Sequence, residues 1–210
     1  MPEMPGQSQV DPDLVPEDEA RVGLYYLLAG FLSAPPGEAE LAAAASIEGD
    51  GTPLGKALTT FAHLCARSDA AVVKREYHDL FIGVGRGELL PYASYYLTGF
   101  LNEKPLSRLR ADMRSLGLEP EPEVKDPEDH IAALCEMMGG FIGGAFGEPL
   151  SVEEQKAFFD RHIASWAGYF FRDLKAAKSS VLYAGLGAVG SIFMTIEEEA
   201  FRMVALDTEE

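Results

Sequence analysis

No proline occurs after Pro149. That leaves the last part of the chain free to run in long helices, because a helix interior cannot accept proline without losing a hydrogen bond and gaining a clash. Upstream, prolines and glycines cut the sequence into shorter blocks in which apolar residues return every three or four positions, the period of a helix that buries one face. Val22, Tyr25, Tyr26, Ala29 and Leu32 form the first stripe. It is opened by Pro16 with Glu17, Asp18 and Glu19, and stopped by Pro35-Pro36. Leu41 to Ile47 is a second stretch, and Thr52-Pro53 opens a third whose stripe runs through Leu54, Ala57, Leu58, Phe61, Leu64 and Cys65. Asp69 caps a fourth helix reaching Leu80-Phe81. Tyr92 to Phe100 and Leu106 to Leu116 read as two more, the latter ended by Gly117. Asp126-Pro127-Glu128-Asp129 reads as a further helix start with Asp126 as cap, and Ser151 with Glu154 as a capping box. Only Val181 to Ile196 has the β-branched residues and glycines of a strand. There Ala184, Ala188 and Ser191 share one helical face, which suits close helix packing instead.

The expected fold is therefore all-α, a single-domain helical bundle over residues 16–210. A flexible tail, residues 1–15, precedes it. An acidic, proline-rich hinge lies at 117–127, built on Glu119, Pro120, Pro122 and Pro127.

Thirty-four acids against seventeen bases give a net charge of −17. A field of that sign repels phosphate backbones, which excludes nucleic-acid binding through a basic footprint and favours cationic partners. The two cysteines, Cys65 and Cys135, form no CxxC. This excludes a disulfide scaffold and a four-cysteine zinc site, and fits a reducing, cytoplasmic compartment. The amino terminus lacks the basic and apolar runs of a signal peptide. The longest uncharged stretch, Ser179 to Ile196, is broken by glycines and suits a core helix better than a membrane span. His78, His130 and His162 have no histidine or cysteine partner one helical turn away, so no metal site is expected. Ser94 lies in no nucleophile elbow. The run Gly83-Val84-Gly85-Arg86-Gly87 could cradle a phosphate, but it lacks the Lys-Ser/Thr of a P-loop and follows a helix. No catalytic residue and no cofactor are expected.

Two surface features remain. Tyr92, Tyr95, Tyr96 and Phe100 cluster after the glycine run, and acids crowd Glu119 to Asp129. Together they suit a peptide with adjacent basic and apolar parts, whose guanidinium groups pair with carboxylates while the rings bury its apolar segment.

Four motifs then resemble one family. Glu76-Tyr77-His78-Asp79-Leu80-Phe81-Ile82-Gly83-Val84-Gly85, followed by Leu90-Pro91-Tyr92-Ala93-Ser94-Tyr95-Tyr96, is similar to the E-[YF]-x-x-L-F-x-G-P-G and P-Y-E-S-x-Y signatures of the TorD/DmsD/NarJ redox-enzyme maturation chaperones. Asp126-Pro127-Glu128-Asp129-His130 resembles their E-P-x-D-H, and His162 to Trp166 their H-[LI]-x-x-W. Val84 stands in place of the middle proline and Ala93 in place of a glutamate, so an arginine contact at 93 does not carry over. The resemblance implies a cytoplasmic chaperone that binds the twin-arginine signal peptide of a molybdopterin oxidoreductase and assists cofactor insertion and folding before export. Its peptide-binding residues would be Tyr92, Ser94, Tyr95, Tyr96 and Phe100 with Asp126, Glu128 and Asp129, Pro127 starting the helix that positions them and His130 anchoring the hinge. It also implies weak guanine-nucleotide binding and either a monomer or a hinge-exchanged dimer. Two rivals are a GTP-hydrolysing protein using Gly83 to Gly87 and a structural helical subunit of a redox complex.

Overall fold

The computed structural model describes residues 14–119 and 126–207. The tail up to Asp13 and the hinge residues Pro120 and Pro122 lie outside the described residues. Ten α-helices account for the described fold, with no strand among them: α1 (Pro16–Ser33), α2 (Glu38–Ala45), α3 (Pro53–Arg67), α4 (Ala70–Tyr77), α5 (Ala93–Thr98), α6 (Lys104–Ser115), α7 (Ile131–Gly143), α8 (Val152–His162), α9 (Ala167–Ala176) and α10 (Leu182–Asp207). A π-helical turn, His78–Ile82, extends α4. The all-α expectation holds. No helix among the described residues is long and apolar enough to cross a membrane.

Local chemistry sets most of the ends. Prolines open α1 and α3, the Thr52 hydroxyl accepts from the Gly55 N–H, and Asp69 accepts from the N–H groups of Ala71 and Val72. Ser151 and Glu154 form the reciprocal box that opens α8. Three expectations give way to tertiary forces. The fourth helix does not stay α-helical to Phe81: a π turn takes over at His78, with Leu80 buried and the Gly83 N–H closing on the His78 carbonyl at 2.7 Å. Of the three helices in the proline-free final part, α8 and α9 are short, of eleven and ten residues, and only α10, of twenty-six, is long. The chain turns at 163–166 so that Ile163 and Trp166 are both buried, and the Trp166 indole donates to the His162 carbonyl at 2.8 Å. Asp126-Pro127-Glu128-Asp129 is a turn, not a helix start. Helix α7 begins at Ile131, capped by the His130 ring, whose Nδ1 accepts from the Ala132 N–H at 3.1 Å.

Helix α7 lies along α1, and α10 packs against α3 and α9. Close approach to α9 runs through Gly187 and Gly190, where a Cβ would meet the Phe171 carbonyl at 2.9 Å and its ring at 2.3 Å. Ala184, Ala188 and Ser191 are only half-buried. Segment 181–196 is thus helical from Leu182, with its glycines rather than its alanines at the tightest seam.

Three buried knots hold the helices in register. Glu197, 1% exposed, accepts from Arg21 Nε at 2.8 Å, from Arg21 Nη2 at 2.9 Å and from the Tyr25 hydroxyl at 2.8 Å. Glu76 accepts from the N–H groups of Val181 (2.7 Å), Leu182 (3.2 Å) and Tyr183 (2.9 Å), capping α10 from another helix. The Tyr183 hydroxyl donates to the Phe31 carbonyl, and that of Tyr77 to the Leu32 and Ser33 carbonyls, so the exposed end of the α1 ladder is satisfied.

Candidate functional site

The segments 91–96 and 126–131 meet through a short antiparallel bridge between Tyr92 and His130. The Ala93 N–H donates to the Asp129 carbonyl at 2.9 Å, and the Ile131 N–H to the Pro91 carbonyl at 2.8 Å. Below the bridge, Asp129 Oδ2 accepts from the Ser94 N–H at 2.7 Å, capping α5 from across the fold. The His130 ring meets Tyr92 edge-on, with centroids 5.0 Å apart. Burial strips His130 of solvent and holds its pKa down to about 4, which suits a ring nitrogen that must stay unprotonated to cap α7. The hydrogen bond of His130 is thus made to α7.

Three tyrosines stand at the resulting edge, each half-buried with its hydroxyl held by a charged group. Tyr92 donates to Asp126 Oδ1 at 3.1 Å, and Tyr96 donates to Asp173 Oδ2 at 3.0 Å. Tyr95 accepts from Arg86 Nη2 at 2.7 Å, and that guanidinium also lies 5.2 Å over its ring. Tyr96 leans on Trp166 and Phe170, which ties the edge to the core. Burial first, then the adjacent carboxylate, pushes the phenols of Tyr92 and Tyr96 well above their ordinary range, so both stay hydrogen-bond donors.

The expected site residues divide. Tyr92, Tyr95, Tyr96 and the exposed Asp126 share the edge. Ser94 (0% exposed) and Asp129 (1% exposed) are inside, so neither is open to a peptide; they shape the site rather than line its surface. Their atoms Ser94 Oγ and Asp129 Oδ1 have no hydrogen-bond partner among the described residues. Asp129 also borders a small pocket lined by Leu97, Pro105, Leu109 and His162. Glu128 pairs with Arg110 at 2.8 Å and is already committed. Pro127 lies in the turn and starts no helix; its carbonyl accepts from the His130 N–H at 3.0 Å. Phe100 falls beyond the end of α5, 70% exposed, and Glu119 is exposed.

Asp173 and Arg86, which hold two of the tyrosines, were missed from the sequence. Asp173 was within reach: it follows Trp166 and Phe170 at helical spacing and so sits at the rim of their stripe. Glu76 could also have been found as the one charge on the inward stripe of Val73, Tyr77 and Leu80.

The glycine run is a chain reversal. Gly83 has φ +60°, and a Cβ there would meet the Arg86 carbonyl oxygen at 2.1 Å. Glu88 then returns its N–H to the Asp79 carbonyl and its carboxylate to the N–H groups of Lys178 and Ser179. Among the described residues, no group of three or more His, Cys, Asp or Glu converges as a metal site.

The family model described as nitrate reductase delta subunit matches residues 48–172, more than half of the chain and all of this edge except the last residue, Asp173. The chain belongs to that family. Within the delta-subunit family model, the residues that build the bridge, the α5 cap and the tyrosine edge up to Phe170 all fall inside the matched range. A chaperone protein TorD from Vibrio vulnificus (strain CMCP6) is 31% identical over 116 residues, covering 51% of this chain and 54% of that protein. A TorD chaperone from Vibrio cholerae serotype O1 (strain M66-2) is 26% identical over 136 residues, covering 61% of this chain and 62% of that protein. The chain thus spans between half and two thirds of the length of these relatives. A crystal structure of a candidate redox enzyme maturation protein from Archaeoglobus fulgidus has the same fold, with a TM-score of 0.59 at 22% identity over 83% of this chain and 93% of that one.

Proposed function

We propose that this protein is a maturation chaperone that holds the precursor of a molybdopterin oxidoreductase by its twin-arginine signal peptide while the cofactor is inserted, before export from the cytoplasm. The observation that carries the reading is the edge at which Tyr92, Tyr95 and Tyr96 alternate with Asp126 and Asp173. Both carboxylates are exposed, and each accepts a tyrosine hydroxyl through one oxygen, so a guanidinium can add to each at little desolvation cost. The ring faces beside them offer rigid apolar contact for the leader's hydrophobic part. Asp173 takes the place in the cation site that the sequence had assigned to Asp129 and Glu128. Residues 117–127 are the proposed hinge of a domain-exchanged dimer, and residues 16–210 one domain.

Calorimetric titration with a twin-arginine leader peptide tests this. The Asp126→Asn/Asp173→Asn protein is expected to bind about 5- to 150-fold more weakly, the loss of about 1–3 kcal/mol that a charged contact carries. Added salt should weaken the wild type more than the variant. Equal affinity of the two proteins would reject the edge as the cation site.

A further inference from the structure

Helix α6 reverses the electrostatics of the molecule. Four of the seventeen Lys and Arg residues, Lys104, Arg108, Arg110 and Arg114, lie on this one twelve-residue helix. Leu106, Leu109 and Met113 bury its inner face. One flank is committed through Arg110 to Glu128, and the other through Asp112 to Arg161 and His162. Lys104, Arg108 and Arg114 are exposed, and none has an ion pair or a side-chain hydrogen bond among the described residues. At helical spacing Lys104 and Arg108 stack on the outward line, one turn apart, with Arg114 at its edge. In a chain with twice as many acids as bases, cations left unpaired on one face are a local exception. Apolar side chains accompany them: just before the helix Phe100 is 70% and Leu101 41% exposed, and just after it Leu116 is 36% exposed.

We propose that the outer face of α6, with Phe100 and Leu101, docks an acidic polypeptide segment of a partner protein. That segment carries two carboxylates about one helical turn apart and a large apolar side chain beside them. Charge complementarity selects this occupant. The patch is about three cations long on a chain whose net charge is −17. An extended polyanion, whether a nucleic acid or an anionic bilayer, would overrun the patch onto like charge, whereas a compact acidic segment ends where the patch ends. A cationic leader is repelled here, so this surface stands independently of the tyrosine edge and of the function proposed for it.

The test uses the full chain and a short fluorescent peptide carrying two Glu-Glu pairs around Leu and Phe, read by anisotropy. The wild type is expected to bind with an affinity that falls as salt rises, while the same peptide with Gln for Glu does not bind. Lys104→Glu/Arg108→Glu should weaken binding at least tenfold without changing the thermal midpoint, since neither side chain has a partner to lose. Phe100→Ser should weaken it several-fold and leave the salt dependence intact. Unchanged affinity in the charge-reversed protein overturns the proposal. So does equal or tighter binding of the wild type to phosphatidylglycerol vesicles or to a single-stranded oligonucleotide. Self-association of the chain by sedimentation, abolished by the same charge reversal, would assign the face to a second copy and also overturn it.

Discussion

Carboxylates in the interior and carboxylates at the tyrosine edge have opposite uses in this protein. Glu76 and Glu197 are buried and spend both oxygens on this chain's own N–H, guanidinium and hydroxyl groups, and the buried Asp129 gives one oxygen to the Ser94 N–H. Asp126 and Asp173 are exposed, and each is seen to take one tyrosine hydroxyl. A buried carboxylate has only the chain's own donors to replace water; an exposed one keeps water as its alternative and stays open to a ligand. The comparison teaches that in a strongly acidic chain burial, not local charge density, separates the acids that build from those that can bind.

The hardest blow to that comparison comes at Glu197. Glu197→Ala leaves the half-buried Arg21 guanidinium with only Asp18 and Gln155 and the buried Tyr25 hydroxyl without its acceptor, and is expected to cost about 3 kcal/mol in urea unfolding. The triple replacement Arg21→Met/Tyr25→Phe/Glu197→Leu should recover most of it, because neither a stranded charge nor an unpaired buried hydroxyl remains. A neutral Glu197→Ala would show that the interior acids do not hold the fold together.

Acid pH probes the bridge. His130 is held at about 4 by burial, whereas an unfolded chain protonates its histidine near 6.5. The unfolded state therefore takes the proton first. Stability is full above about pH 7, falls as pH drops from about 6.5 to 4, and levels off below, a loss of up to roughly 3 kcal/mol. Urea midpoints across that range should fall less steeply in His130→Asn, which keeps a capping oxygen but cannot titrate.

Glu76→Gln should cost about 1–3 kcal/mol, since an amide can serve fewer of the three N–H groups at the start of α10. Hydrogen exchange at Val181, Leu182 and Tyr183 should quicken more than at the interior of the helix. Least of all, Asp126→Asn/Asp173→Asn should move the thermal stability by no more than about 0.5 kcal/mol while carrying the binding loss set out above. A large stability loss there would place the edge with the interior and erase the contrast.

Much of the fold is legible from residues that act on their own neighbours. The proline at the start of α1, the Asp69 cap and the Ser151–Glu154 box each work within one helical turn, so their positions in the chain suffice. Legibility fails where the deciding partner is distant. Asp126-Pro127-Glu128-Asp129 has every local mark of a helix start, yet Asp129 is drawn inward to cap α5, thirty-five residues back in the chain, and α7 waits for His130.

The site shows the same division. The tyrosines and Asp126 could be read from their clustering, whereas Asp173, seventy-seven residues from Tyr96, could be joined to them only when α9 packed beneath α5. By itself, then, the sequence determined the helical class, most of the helix ends and the acidic, aromatic character of one surface, because periodicity, caps and charge are local properties. Tertiary structure alone decided which acids are buried, which pair and which stay open. Those outcomes depend on desolvation and on donors brought in from other helices, and neither is written at any single position in the chain.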